Sequence, residues 1–89
     1  MARYLARIDI MLKALVNDPQ GLTVVDGLKT LGFDGIDAVR VGKHIEVTLE
    51  AAGEAAADRA VTEMCDKLLA NPVIEDFSFQ VSAVAAAEA

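Results

Sequence analysis

Cysteine is scarce in this chain, and long apolar runs are missing. The one cysteine, Cys65, can form no disulfide within the chain and cannot alone supply the ligands of a structural zinc site. We therefore expect a reducing compartment, the cytoplasm. No stretch approaches the ~18 apolar residues of a membrane span, and charged residues interrupt the apolar ones at the start of the chain. The sequence predicts a soluble protein without a signal peptide.

Basic residues and aromatic residues are also few. Eight Lys and Arg against fourteen Asp and Glu give a net charge of −6 and a pI near 4.5. Such a protein repels phosphate backbones and anionic lipid headgroups. An RNA-recognition sheet needs exposed aromatic residues and a basic face, and most of the four aromatic side chains here fall at predicted core positions. Neither a nucleic acid nor a membrane is an expected partner.

What the chain does have is a high apolar content for its length. Its 89 residues are 54% hydrophobic, enough for one small domain and too few for a multi-domain enzyme with a cleft between lobes. A domain of this size buries little more than ~60% of its unfolded surface. Oligomerisation would supply further burial.

The first half of the chain predicts a strand, a helix and a hairpin. Residues 4–12 alternate apolar and polar positions, as a half-buried strand does. Asp18 and Pro19 are suited to begin a helix whose apolar stripe runs from Leu22 to Leu31, and Phe33 is expected to return to the core. Residues 36–41 and 45–49 predict a hairpin with Val41 opposite Ile45, Arg40 opposite Glu46 and a loop 42–44.

The second half predicts a helix and a last strand. Within residues 53–69, apolar side chains from Ala57 to Leu68 recur at helical spacing, and Asn71-Pro72 ends the helix. Residues 73–81 alternate again, with Phe77 and Phe79 on the core side. The Ala-rich tail, 82–89, has no apolar period and is expected to fray.

This order of elements is βαββαβ, which predicts an α+β, ferredoxin-like, two-layer sandwich with two helices on one face of an antiparallel sheet. The predicted domain spans residues 1–81. The other face of the sheet mixes charged and apolar side chains, which suits a partner better than a core. We expect dimerisation through this face or through the sheet edges.

Side chains that could carry chemistry are isolated in the sequence. We expect His44, the only histidine, to be exposed and without a partner that orients its imidazole. Cys65 is interpreted as a small buried apolar residue, and the adjacent acids Glu75 and Asp76 should point to opposite faces of a strand. Gly42-Lys43 lacks the helix that a phosphate loop requires. The residues therefore indicate a binding or assembly module.

Three strings of the sequence resemble the PurS family. They are DPQG at 18–21, VRVGKHIE at 39–46 and CDKLLANPVIEDF at 65–77, they occur in family order, and the resemblance covers about residues 1–81. PurS is the small subunit of phosphoribosylformylglycinamidine (FGAM) synthase, in the fourth step of de novo purine synthesis. The Ala-rich tail departs from the family pattern.

The resemblance implies a subunit without catalytic groups, cofactors or metals of its own. In the family, PurQ releases ammonia from glutamine, PurL uses ATP and magnesium to activate formylglycinamide ribonucleotide (FGAR), and PurS bridges them. PurS is generally dimeric, and its dimers can pair further. Our candidates for docking are the predicted hairpin tip and the turn before the last strand: Arg40, Gly42, Lys43, His44, Asn71, Pro72 and Glu75. Each also has a structural interpretation, as a turn, a helix end or a surface ion pair.

Two other classes of function stay open from the sequence. Related βαββαβ domains of the ACT type dimerise and bind amino acids between protomers, which makes a small-molecule sensor the second hypothesis. Against it, the turn 18–21 offers one glycine and an acidic Asp18 that would repel a ligand carboxylate. A free-standing enzyme would need a site assembled from several chains.

Overall fold

The computed structural model describes residues 1–14 and 16–84. Along this part of the chain lie, in order, β1 (Ala2–Leu12), α1 (Pro19–Thr30), β2 (Gly42–Ala51), α2 (Glu54–Met64) with a π-helical turn at Cys65–Leu69, and β3 (Glu75–Ala83). β1 is the central strand and pairs antiparallel with β2 on one side and β3 on the other. The α+β class and the antiparallel ferredoxin-like sheet are confirmed.

The core lies between one face of the sheet and α2. The predicted alternation along β1 is confirmed, since Ala6, Ile8 and Ile10 are buried on the face that α2 covers. Val61 and Cys65 pack over them and are fully buried, so the interpretation of Cys65 as an apolar core residue is also confirmed. We call this side of the sheet the helix-side face and the other side the open face.

The predicted hairpin is wrong in its first strand. Residues 33–41 form no strand in the structure, and Gly42 leads directly into β2. A three-residue hairpin loop needs a residue in the left-handed region, but Gly42 has no positive φ. The sheet therefore has β2 as an edge strand where the sequence predicts a further strand.

Two predicted contacts fail for the same reason. Val41 does not pair with Ile45, because Ile45 lies opposite Ile8 of β1. Arg40 does not face Glu46, which lies opposite Arg7 instead.

The predicted ends of α1 are confirmed. The Asp18 carboxylate accepts a hydrogen bond from the backbone N–H of Gly21 (2.9 Å), and Pro19 occupies the first turn, where its missing N–H costs nothing. At the other end Gly32 adopts a φ of 94°, and the backbone N–H of Phe33 bonds the carbonyl oxygen of Leu28 (3.1 Å). This is a Schellman-type helix end.

The predicted burial of α1 is wrong. Leu22 and Leu31 of its apolar stripe are exposed, and so is Phe33, which was expected in the core. The reason is tertiary: α2 contacts all three strands, whereas α1 makes few contacts with the sheet. Only one of the two helices covers the helix-side face of its own chain.

The end of α2 also differs from the predicted stripe. The backbone N–H of Ala70 bonds the carbonyl oxygen of Cys65, which closes the wider π-helical turn. This turn rotates the following residues, so Ala70 is buried and Leu68, predicted on the core stripe, is 82% exposed. The described helices include none that is long and apolar enough to cross a membrane.

β3 begins and ends two residues later than predicted. A turn held by the carbonyl oxygen of Asn71 precedes Glu75, and the strand continues to Ala83. The backbone N–H of Val84 then bonds the carbonyl oxygen of Arg3 (2.9 Å). The start of the predicted frayed tail thus belongs to the sheet, and its residues 85–89 lie outside the described residues.

Candidate partner interface

The structure brings together four of the predicted docking residues at one end of the sheet. Lys43 is the second residue of β2 and lies on the helix-side face; its Nζ is 3.5 Å from the Glu75 carboxylate, across β1. The other oxygen of that carboxylate accepts a hydrogen bond from the backbone N–H of Asn71 (2.7 Å). Pro72 follows in the same turn. We call Lys43, Asn71, Pro72 and Glu75 the end surface.

Burial differs sharply across the end surface. The Glu75 side chain is only 15% exposed, whereas that of Lys43 is 55% exposed and reaches toward the carbonyl oxygen of Leu69 (3.5 Å). Leu68 and Val73, beside this turn, are largely exposed apolar side chains. An ion pair and accessible apolar side chains therefore lie side by side at this end of the sheet.

His44 lies on the opposite face of the sheet from the end surface. Its Nδ1 is 2.7 Å from the Asp9 carboxylate and its Nε2 is 3.1 Å from that of Glu46. These hydrogen bonds, that of Asp9 first, raise the pKa of His44. The expectation that His44 is exposed is confirmed, and the expectation that no partner orients it is wrong, because β1 brings Asp9 beside it.

Arg40 and Gly42 have structural places outside the end surface. Arg40 donates a hydrogen bond to the carbonyl oxygen of Leu12, at the point where β1 ends. A side chain at Gly42 would collide with the side chain of Met11 and the carbonyl oxygen of Ile10. Gly42 is therefore required for close packing of β2 on β1, and not for a turn.

The Asp18 carboxylate makes a contact that the sequence does not predict. Besides capping α1, it accepts a hydrogen bond from the backbone N–H of Val41 (2.9 Å). This bond and the one from Gly21 lower the pKa of Asp18. The sequence predicts the cap, because Gly21 lies only three residues after Asp18. It does not predict the bond to Val41, which lies 23 residues after Asp18.

The two side chains that the sequence singles out for possible acid–base or nucleophilic chemistry, His44 and Cys65, have different surroundings. Burial raises the pKa of the Cys65 thiol, which disfavours a reactive thiolate. Both ring nitrogens of His44 lie within hydrogen-bond distance of carboxylates, and these contacts raise its pKa. Across residues 1–14 and 16–84, acidic, cysteine and histidine side chains form no group that could hold a metal ion.

Fold and surface together define a class of protein: a small α+β subunit whose accessible features suit binding to other chains. Comparison with known proteins names the family. The PurS family, described as Phosphoribosylformylglycinamidine (FGAM) synthase, matches residues 5–83. This chain belongs to the PurS family, and the resemblance found in the sequence is confirmed.

Individual relatives match over nearly the whole chain. A PurS subunit of the synthase from Synechocystis is 49% identical over 91% of this chain and 81% of its own length. The crystal structure of Methanocaldococcus jannaschii PurS matches with a TM-score of 0.82 at 38% identity, over 92% of this chain and 99% of that one. A chain of the PurLQS structure from Thermotoga maritima matches with a TM-score of 0.81 at 30% identity, over 94% and 100% of the two chains.

Proposed function

We propose that this chain is the PurS subunit of FGAM synthase and that it joins the glutaminase subunit PurQ to the synthetase subunit PurL. In this role it supports the ATP-dependent conversion of FGAR and glutamine to FGAM without an active site of its own. The observation that carries the proposal is the match of more than nine-tenths of this chain to PurS chains, one of them from a PurLQS structure.

The chemistry of the described residues supports a non-catalytic role. A synthetase needs groups that hold ATP and magnesium, and a glutaminase needs an activated nucleophile. The candidates for such work here are a buried, unreactive thiol and an exposed histidine paired with carboxylates. ATP and magnesium therefore belong to PurL and glutamine to PurQ, and all three subunits work in the cytoplasm.

The end surface is the contact that we propose for the partner subunits. Its ion pair is organised before binding, because Glu75 is held by both Lys43 and the backbone of Asn71. A preorganised polar contact loses little conformational entropy when a partner docks. The exposed side chains of Leu68 and Val73 add apolar area beside it.

Synthase activity with PurL and PurQ from the same organism tests the proposal. We expect glutamine-dependent FGAM formation to require this chain, while the reaction with free ammonia proceeds largely without it, because ammonia from solution bypasses PurQ. If neither reaction changes on adding the chain and no complex forms, the proposal is wrong. Saturable heat on titration with amino acids would then favour the small-molecule sensor.

A variant localises the contact. Lys43→Ala removes the ion pair of the end surface, and we expect it to weaken complex formation and glutamine-dependent activity together. Lys67→Ala is the matched control, because Lys67 is a similarly exposed lysine whose carboxylate partner is Glu63 on α2. If Lys43→Ala and Lys67→Ala have equal glutamine-dependent activity, the end surface is not part of the interface.

A further inference from the structure

The sequence contains the dipeptide Asp-Gly twice, at Asp26-Gly27 and at Asp34-Gly35. In such a pair the backbone nitrogen of the glycine can attack the side-chain carboxyl of the aspartate, because glycine has no Cβ to hinder the approach. The attack closes a five-membered ring that includes the backbone. The dipeptide has the same intrinsic reactivity at both places, so the local backbone decides where the ring closes.

The first pair is held inside α1. Thr30 donates its hydroxyl hydrogen to the carbonyl oxygen of Asp26 (2.9 Å), and the backbone N–H of Leu31 donates to the carbonyl oxygen of Gly27 (3.1 Å). Within an α-helix each backbone N–H is also bonded to the carbonyl oxygen of the preceding turn. Helical ψ turns the glycine nitrogen out of the plane in which the ring must close. Asp26 therefore reacts only when α1 opens locally.

The second pair lies in the strand-free segment that follows α1. Gly35 adopts a φ of 78°, outside helix and strand geometry. Within residues 1–14 and 16–84, neither Asp34 nor Gly35 takes part in a backbone hydrogen bond of a turn, cap or loop. A Cβ at Gly35 would meet no atom of another part of the chain within 4 Å, so nothing packs against its backbone. All four residues of the two pairs are exposed, so the backbone and not exposure distinguishes them.

We propose that Asp34 is the site at which this chain isomerises spontaneously to isoaspartate. The backbone nitrogen of Gly35 forms a bond to Cγ of Asp34 and loses its proton, the Cγ–OH bond breaks, and one water molecule leaves. A second water molecule then hydrolyses the resulting succinimide ring. Attack at the Cγ carbonyl restores aspartate, whereas attack at the backbone carbonyl leaves the chain linked through Cγ, which is isoaspartate. The reaction uses no oxidant and no cofactor, and the product has the mass of the original chain.

The new linkage lengthens a segment of backbone whose two ends are fixed. Before it, the backbone N–H of Phe33 bonds the carbonyl oxygen of Leu28 (3.1 Å), and after it the backbone N–H of Val41 bonds the Asp18 carboxylate (2.9 Å). One methylene group enters the backbone between these points, and the free carboxylate at position 34 becomes the α-carboxylate. An isoaspartyl carboxyl methyltransferase, with a sulfonium methyl donor as cosubstrate, recognises this carboxylate. Position 34 is thus where such an enzyme would methylate the chain.

Ageing of the full chain at neutral pH tests the proposal, with Asp26 as the internal control. After increasing times the protein is digested with a protease that cleaves before aspartate and not before isoaspartate, and mass spectrometry measures the uncut fraction at each of the two sites. We expect isoaspartate to accumulate about tenfold faster or more at Asp34, because Asp26 reacts only from a locally opened α1. A rate at Asp34 no greater than that at Asp26 would overturn the proposal.

Two further measurements separate the effect of the fold from that of the dipeptide. In concentrated guanidinium chloride α1 is unfolded, and we expect the two sites to react at similar rates; a preference for Asp34 that persists there would show that the fold does not select it. Asp34→Glu keeps the charge but requires a larger ring, so it should abolish the methylation of the aged chain by an isoaspartyl carboxyl methyltransferase. Undiminished methylation of Asp34→Glu would place the isoaspartate elsewhere and contradict the proposal.

Discussion

Asp18 and His44 are two charged side chains whose pKa values shift in opposite directions, and both shifts arise from contacts between distant parts of the chain. Asp18 receives hydrogen bonds from two backbone amides, which favour its ionised form. His44 is bonded to two carboxylates, which favour its protonated form. Each of these side chains therefore stabilises the folded protein at pH values where it is in the form that its hydrogen bonds favour.

Asp18→Asn tests the two hydrogen bonds by which the Asp18 carboxylate caps α1 and holds Val41 before β2. Because the folded pKa of Asp18 is lowered, its carboxylate stabilises the fold above the unfolded value of about 3.9, and this contribution is lost as the pH falls through the folded pKa. We expect the variant to unfold at a lower temperature than wild type at pH 7, with the difference shrinking below about pH 4. Asp26→Asn makes the same charge change within α1 and should cost less. If the two proteins differ in unfolding temperature as much in acid as at pH 7, the stabilisation does not come from the ionised Asp18 carboxylate.

NMR titration measures the pKa of His44 directly, since His44 is the only histidine in the sequence and its ring signals are unambiguous. Its pKa should lie above about 6.5, and Asp9→Asn should lower it more than Glu46→Gln does. A raised folded pKa means that the network stabilises fully below the ordinary value and is lost as the pH rises through the folded pKa. Identical titration curves for wild type and Asp9→Asn would show that Asp9 does not act on the ring.

At the scale of elements, Gly42 decides how the chain that follows α1 enters the sheet. In sequence, Gly42 predicts a turn because glycine is the residue that hairpin loops favour. In the structure it lies in β2 and is needed because Met11 and Ile10 approach its Cα too closely for any side chain. The same residue type thus serves two different backbone geometries.

Gly42→Ala should therefore destabilise the β1–β2 pairing. The added methyl group meets the Ile10 carbonyl oxygen, which belongs to the backbone and cannot move aside freely. We expect a loss of about 1–3 kcal/mol in the free energy of unfolding, measured with denaturant. Gly53→Ser is the control, because a side chain at Gly53 meets open space and serine is a preferred N-cap. Equal stability of the two variants would argue against close packing at Gly42.

At the scale of the whole molecule, the structure is more open than its apolar content suggests. The sequence is 54% hydrophobic, yet the large apolar side chains of Leu22, Leu31 and Phe33 remain exposed in the single chain. With a net charge of −6, two copies repel one another at long range. Association must therefore come from buried apolar area, which screening by salt leaves intact.

Self-association that covers the exposed apolar side chains of α1 would couple folding to association, so stability should depend on protein concentration. We expect the midpoint of thermal unfolding to rise by roughly 5–10 °C when the chain is concentrated a hundredfold. Leu31→Asp should weaken this dependence, because it places a charge among the exposed apolar side chains of α1. A midpoint independent of concentration in the wild-type chain would show that the folded state is monomeric.

The candidate site was only partly predictable from the sequence. The sequence predicts Lys43 and the turn Asn71-Pro72 with Glu75 as separate candidates, and the Lys43–Glu75 ion pair joins them in the structure. The strings that resemble PurS mark these residues but say nothing of their distance in space. The Asp9–His44 pair had no sequence signal, because antiparallel pairing of β1 and β2 brings together residues 35 positions apart.

By itself, the sequence determined what local physics controls: the buried faces of β1 and β3, both ends of α1, the helix over 54–69 and the acidic surface. Periodicity and capping act within a few residues, so each segment reveals its own faces. Only the tertiary structure decided that the chain passes straight through Gly42 and that α1 leaves its own sheet. A straight strand and a closed hairpin have the same alternation, and the choice between them depends on long-range packing that no local pattern records.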